Sequence, residues 1–140
     1  MNQIEPYALW VGNGGDGRAT QALFENEIRA VVELAVEDAT LRLPHEFMSL
    51  RFPLIDGTGN DPDMIRLAVR SLAFLVGKGI PTLACCGGGM SRSPVIAAAA
   101  LASVRQVSLE ESLSTIANSH ATDVTPGLWD EVVRTLREAE

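Results

Sequence analysis

Cys85-Cys86-Gly87-Gly88-Gly89-Met90-Ser91-Arg92-Ser93-Pro94 joins a short apolar run, Pro81 to Cys85, to an alanine-rich segment from about Ser93 to Ser103. The apolar run has the length and composition of a buried strand, and the alanine-rich segment reads as a helix. Three consecutive glycines between them let the backbone curl so that successive N–H groups converge on one concavity. The N-terminus of the following helix adds its positive dipole end. A thiol at the head of such a loop meets those donors, which favour its thiolate. Arg92 closes the loop with a planar fork suited to two phosphoryl oxygens. A soft nucleophile, a ring of amide donors and a bidentate cation are what phosphoryl transfer through cysteine requires. No Gly-Lys-Ser/Thr follows, so this is not a nucleotide loop of the Walker type. The plain structural alternative is a buried cysteine beside a helix-capping turn.

Working outward, Tyr7 to Val11 reads as a strand followed by a glycine-rich loop, Gly12 to Gly17, and a short helix over Thr20 to Glu25. Ile28 to Leu34 and Met48 to Leu54 read as further strands, rich in β-branched and apolar residues. Asp61-Pro62-Asp63 is a strong helix entry, and Gly77 or Gly79 ends that helix. Ser108 and Glu111 spell a capping box for a helix reaching about Asn118, and Thr125-Pro126 opens the last one. Alternating strands and helices predict an α/β fold, a central and mostly parallel twisted sheet of four to five strands flanked by helices.

At 140 residues the chain fits one domain, 1–140, with a single continuous core. A formal charge of -7 argues against nucleic acid or an anionic membrane surface as the main partner, while leaving room for a locally positive anion site. The longest apolar run, Val95 to Val104, is too short to span a bilayer, and Met1 to Tyr7 lacks the pattern of a signal peptide. The only two cysteines, Cys85 and Cys86, are adjacent and cannot staple distant segments, so a reducing, cytoplasmic setting and thiol chemistry are expected.

The segment from Cys86 to Arg92, with Gly89 third after the cysteine and Ser93 after the arginine, resembles the signature loop of the dual-specificity phosphatases, within the protein tyrosine phosphatase superfamily. Weaker similarity runs from about Tyr7 to Leu136: Leu9 to Gly12 resembles the family's first strand, Ile28 to Leu34 its second, and Thr125 to Leu136 its closing helix. The resemblance implies a phosphatase that hydrolyses phosphate monoesters.

 It implies phosphotyrosine, phosphoserine and phosphothreonine on protein, or a small phosphoester, as substrates, with no metal and no cofactor taking part. Cys86 would attack phosphorus and form a cysteinyl-phosphate. Arg92 and the backbone N–H groups of Gly87, Gly88, Gly89, Met90, Ser91 and Arg92 would hold the equatorial oxygens, and the Ser93 hydroxyl would stabilise the departing thiolate.

The family supplies the proton from an aspartate on a separate loop, and three candidates precede the long helix: Asp56, Asp61 and Asp63. Asp61 and Asp63 are already explained as helix-capping residues. Asp56 follows an apolar strand, sits where the family places its general acid, and is flanked by Gly57 and Gly59, which would let it swing over substrate. Where the family usually has histidine before the nucleophile, this chain has Cys85, read as strand packing in preference to the partner of a strained, labile disulfide with Cys86.

Two rival functions follow from the same loop: a phosphate-binding module without turnover, motivated by Cys85, and a rhodanese-like sulfurtransferase or thiol-redox protein, whose loops also place a cysteine before an arginine. Gly12 to Gly17 matches a dinucleotide fingerprint, with Glu33 at the spacing of a ribose-binding acid, but reads better as a glycine-rich turn. His45 and His120 are expected in loops without catalytic duty, and Trp10 and Trp129 as core anchors.

Overall fold

The computed structural model describes residues 1–138. Five strands form one sheet in the order β1-β2-β5-β3-β4. β2 (Leu9–Asn13), β3 (Ala30–Ala35), β4 (Met48–Leu54) and β5 (Thr82–Cys86) run parallel, and the two-residue β1 (Asn2–Gln3), which the sequence did not suggest, pairs antiparallel with β2. The expected α/β architecture, with its mostly parallel five-stranded sheet, is what the chain adopts.

β5 is the central strand, buried along its whole length, which is why Thr82 to Cys86 carries no charge. Successive side chains of a strand face opposite ways. Ala84 and Cys86 therefore join the larger core, beneath α3 (Pro62–Gly77), α4 (Arg92–Arg105), α5 (Leu109–Ser119) and α6 (Pro126–Glu138), while Leu83 and Cys85 join a smaller one with Leu23, Val31, Leu41 and Phe47. α4 is buried without a break from Arg92 to Leu101. Its alanines let it lie close to the sheet between α3 and α5, and the buried Ser112 of α5 donates to its Ala98 carbonyl at 2.6 Å. The central strand and this buried helix fix both ends of the loop between them.

The start of α3 follows its signals: Asp61 caps the Asp63 amide and Pro62 occupies the first turn. At α5 only half of the expected capping box forms, Ser108 Oγ accepting from Glu111 N at 3.1 Å. Trp10 and Trp129 lie at the margins of the two cores, half-buried.

The glycine-rich segment after β2 departs from expectation. Gly12 and Asn13 complete the strand, and Gly14–Arg18 forms a one-turn helix, α1, ahead of α2 (Thr20–Glu25). Asn13 and Asp16 cap it reciprocally, each side chain bonding the other's backbone N–H at 2.9 Å. A methyl group at Gly17 would lie 2.9 Å from Leu41 and 3.0 Å from Cys85 Sγ, so this glycine serves close packing. Glu33 is likewise structural: it is buried, accepts from Leu41 N at 3.1 Å and lies 3.5 Å from Arg51. Among the described residues, no helix is long and apolar enough to cross a membrane.

Candidate active site

The loop from Gly87 to Ser91 leaves the carboxyl end of β5 and enters α4 at Arg92. Its carbonyls are held from outside. Gly87 O accepts from Gly14 N at 3.3 Å, Gly89 O from His120 Nε2 at 2.6 Å and Met90 O from Asp123 N at 2.8 Å. A trans peptide holds each C=O antiparallel to the next N–H. The amides of Gly88, Met90 and Ser91 consequently face the opposite way, toward the inner side of the curl. Among the described residues, the N–H groups of Gly88, Gly89, Met90, Ser91 and Arg92 have no protein acceptor. Ser91 occupies the cap position of α4 without capping it; among the described residues the Arg92 N–H is left free, while the Ser93 N–H turns to Cys86 Sγ.

The three glycines are not equivalent. Gly89 alone has a positive φ, +76°, and a methyl there would strike the backbone of Gly12 and Asn13 at 2.8–2.9 Å. The curl therefore needs one glycine for its conformation, not three.

Cys86 Sγ lies 3.3 Å from both the backbone N and the Oγ of Ser93. Ser93 Oγ is also 3.2 Å from the Gly12 carbonyl. With Cys86 as a thiol, that hydroxyl can accept from sulfur while donating to Gly12; with a thiolate, it can turn its proton to sulfur. Arg92 is buried, with Nη1 donating to Leu54 O at 2.9 Å and to Glu37 Oε1 at 2.6 Å, and Nη2 donating to Glu37 Oε2 at 2.5 Å. Its Nε is buried without a partner among the described residues. The hydrogen bonds from Arg92 hold the Glu37 carboxyl down to about 2, against the opposing effect of burial, and the same bonds raise Arg92.

No family model matches the chain, and no curated protein matches it by sequence. Solved structures do resemble it. Human DUSP28 superposes with a TM-score of 0.85 at 19% identity, over 99% of this chain and 96% of that one. A mouse putative dual specificity phosphatase complexed with zinc tungstate gives 0.84 at 23%, over 98% and 86%. The human tyrosine phosphatase-like serine/threonine/tyrosine-interacting protein gives 0.80 at 13%, over 99% and 96%. The chain has the dual-specificity phosphatase fold.

Within this dual-specificity phosphatase fold, Asp56 stands beside the loop, and it is tethered there. Its Oδ1 accepts from Ser91 Oγ at 2.7 Å and from Thr125 Oγ1 at 2.8 Å, while Oδ2 has no partner among the described residues. The segment around it is fastened at several points. Asn60 accepts from Ile55 N at 2.7 Å and donates to the carbonyls of Ile55 and Gly57, and Glu131 of α6 accepts from Gly59 N and Asn60 N at 2.8 and 2.9 Å. Burial pushes the Glu131 carboxyl up, but these donors outweigh it and hold it below its usual range. A carboxyl lowered on folding contributes stability that persists as pH falls until it protonates, so this brace holds at neutral pH. Glu131→Gln replaces one acceptor with a donor facing an N–H, and is expected to cost about 1–3 kcal/mol. Thermal melting would measure it, and a variant melting with the wild type would show the brace to be dispensable.

Sequence reasoning missed Glu37, Asn60, Glu131 and the segment from His120 to Thr125. That segment meets three successive loop residues, through His120 on Gly89, Asp123 on Met90, and Thr125 N donating to Ser91 Oγ at 3.0 Å. His120, assigned no role from sequence, donates from Nε2, since a carbonyl only accepts, and its Nδ1 lies 2.9 Å from Asn2 Nδ2. Cys85 is buried on the opposite face of the sheet from Cys86, and burial pushes its thiol up to about 12, so it is an inert packing group.

Proposed function

We propose that this chain is a cysteine-dependent phosphatase that hydrolyses phosphate monoesters, on phosphorylated protein or small phosphoesters. The observation that carries the reading is the set of unpaired loop amides curled beside Cys86 Sγ, with the unpartnered Nε of the buried Arg92 close by in sequence and fold. Such donors are matched to a phosphoryl group's equatorial oxygens.

In the first step Cys86 sulfur attacks phosphorus, the S–P bond forms, the P–O bond to the leaving group breaks, and Asp56 gives that oxygen a proton through its free Oδ2. In the second step water attacks phosphorus, Asp56 takes a proton from it, and the S–P bond breaks. The Ser93 hydroxyl, already 3.3 Å from sulfur, then donates to the released thiolate. Two adjacent free thiols fit a reducing, cytoplasmic setting.

Asp56→Asn keeps both hydroxyl contacts to Oδ1 and removes the proton carrier. Steady-state hydrolysis of an alkyl or aryl phosphate with a poor leaving group should fall by about 10²–10⁴-fold in kcat. An unchanged kcat would remove Asp56 from the mechanism. The rival binding module has a neighbour in the phosphatase-like interacting protein, and wild type that binds tungstate yet hydrolyses nothing would establish it in place of the enzyme.

A further inference from the structure

We propose that the free edge of the sheet, strand β4, and the exposed face of α3 beside it form a docking groove for an extended peptide segment that combines apolar and acidic residues. β4 ends the strand order and has β3 on one side only. Met48 N donates to Arg29 O at 2.8 Å, so Met48 and Leu50 turn their backbone groups inward to β3. In a parallel ladder the alternate residues, Ser49 and Arg51, turn theirs outward. Pro53, at the register shift between β3 and β4, closes this edge because it has no N–H to offer. Such an edge is a template for a further strand unless charge or a covering element blunts it. The charge on the edge, Arg51, is folded back onto Glu33 and the Val36 carbonyl.

The side chains beside the edge make the groove selective. Met48 and Leu50 of β4, with Arg70, Ser71, Phe74 and Leu75 of α3, line a cavity of about 350 Å³. Phe74 is 61% exposed and Met48 38%, so apolar surface stays open next to unpaired backbone. No carboxylate lines the groove, whereas two cations stand at it: Arg70 lines it, and Lys78 Nζ lies 5.7 Å from the centroid of the Phe74 ring. Neither has an ion-pair partner among the described residues. On a chain of formal charge -7, unpaired cations around an apolar shelf select for a negatively charged segment. A second copy paired edge to edge about a two-fold axis would set Arg70 and Lys78 against their own equivalents, which repel. Strand addition by a separate acidic segment satisfies the backbone, the apolar shelf and the cations together.

The test selects a displayed library of random peptides, each about nine residues long to span the edge, on the full chain. The most enriched peptide is then synthesised with a fluorescent label. Enriched sequences should place apolar residues two apart and carry aspartate or glutamate. Anisotropy titrations should show binding weakened about tenfold by Phe74→Ser, the loss expected of an aromatic anchor. Arg70→Glu should weaken it by about threefold to tenfold and flatten its dependence on salt. Both side chains are exposed, so both variants should melt with the wild type. Bound peptide should slow hydrogen exchange at the Ser49 and Arg51 amides, which a contact through side chains alone would not do.

A selection that enriches nothing would overturn the proposal, and so would enriched peptides that are basic or that bind Phe74→Ser and wild type alike. Unchanged exchange at Ser49 and Arg51 in the bound state would overturn strand addition. A concentration-dependent dimer in sedimentation velocity that Phe74→Ser dissolves would assign the groove to a second copy and overturn the peptide as its occupant. None of these measurements uses Cys86 or Arg92, so the outcome is independent of the phosphatase reading.

Discussion

Cys86→Ser is expected to abolish phosphoester hydrolysis, by on the order of 10⁴-fold or more, as when other enzymes lose their nucleophile. A serine hydroxyl has no base beside it here: sulfur is met by Ser93 N and Ser93 Oγ, both of which serve to donate to an anion. Nothing in that surrounding would take a proton from an alcohol. The loop amides and Arg92 are untouched by the change, so tungstate affinity should stay within about twofold to threefold of wild type. The buried site accepts the smaller oxygen, since Ser93 Oγ can pair with a new hydroxyl and no partner is orphaned. Calorimetry and p-nitrophenyl phosphate kinetics on one preparation would check both halves. A Cys86→Ser variant that hydrolyses at the wild-type rate would end the cysteine mechanism.

Gly89→Ala should produce the largest loss of stability among single changes in the loop. Its φ of +76° costs an L-residue about 1–2 kcal/mol. Its methyl would meet Gly12 C, Asn13 N and Gly12 O at 2.8–2.9 Å, and these are backbone atoms of β2, locked by pairing to β5. Overpacking of that kind adds about 1–3 kcal/mol. A combined cost of a few kcal/mol lowers the melting temperature of a chain this size by roughly 10 °C. Gly88→Ala is the control: φ is not positive and a methyl there meets nothing within 4 Å, so it should melt with the wild type. Equal melting of the two variants would show that the loop does not hold this conformation in solution.

Much of the architecture was legible because its signals are local. The Met48–Leu54 strand and the Thr20–Glu25 helix match their sequence bounds, and the Asp61-Pro62 entry begins α3 where the cap and proline require. Gly12 to Gly17 misled, because a glycine run suggests a loop whatever holds it. Asn13 and Asp16 close a helical turn there, and Gly17 is small to admit Leu41 and Cys85. Asp56 was picked out from its place after a strand, but its tethering was not visible, since Ser91 lies 35 residues away and Thr125 lies 69 away.

By itself the sequence determined what repeats along the chain or acts between near neighbours: strand and helix periods, caps, and the spacing of Cys86, Gly89, Arg92 and Ser93 in one loop. Only the tertiary structure decided which distant groups complete that loop. Glu37 reaches Arg92 across 55 residues, and Glu131 braces Asn60 across 71. Such pairs form because a buried N–H or guanidinium must find an acceptor wherever packing brings one. That requirement is satisfied by position in space, and an acidic residue destined to meet it looks in sequence like any solvated carboxylate.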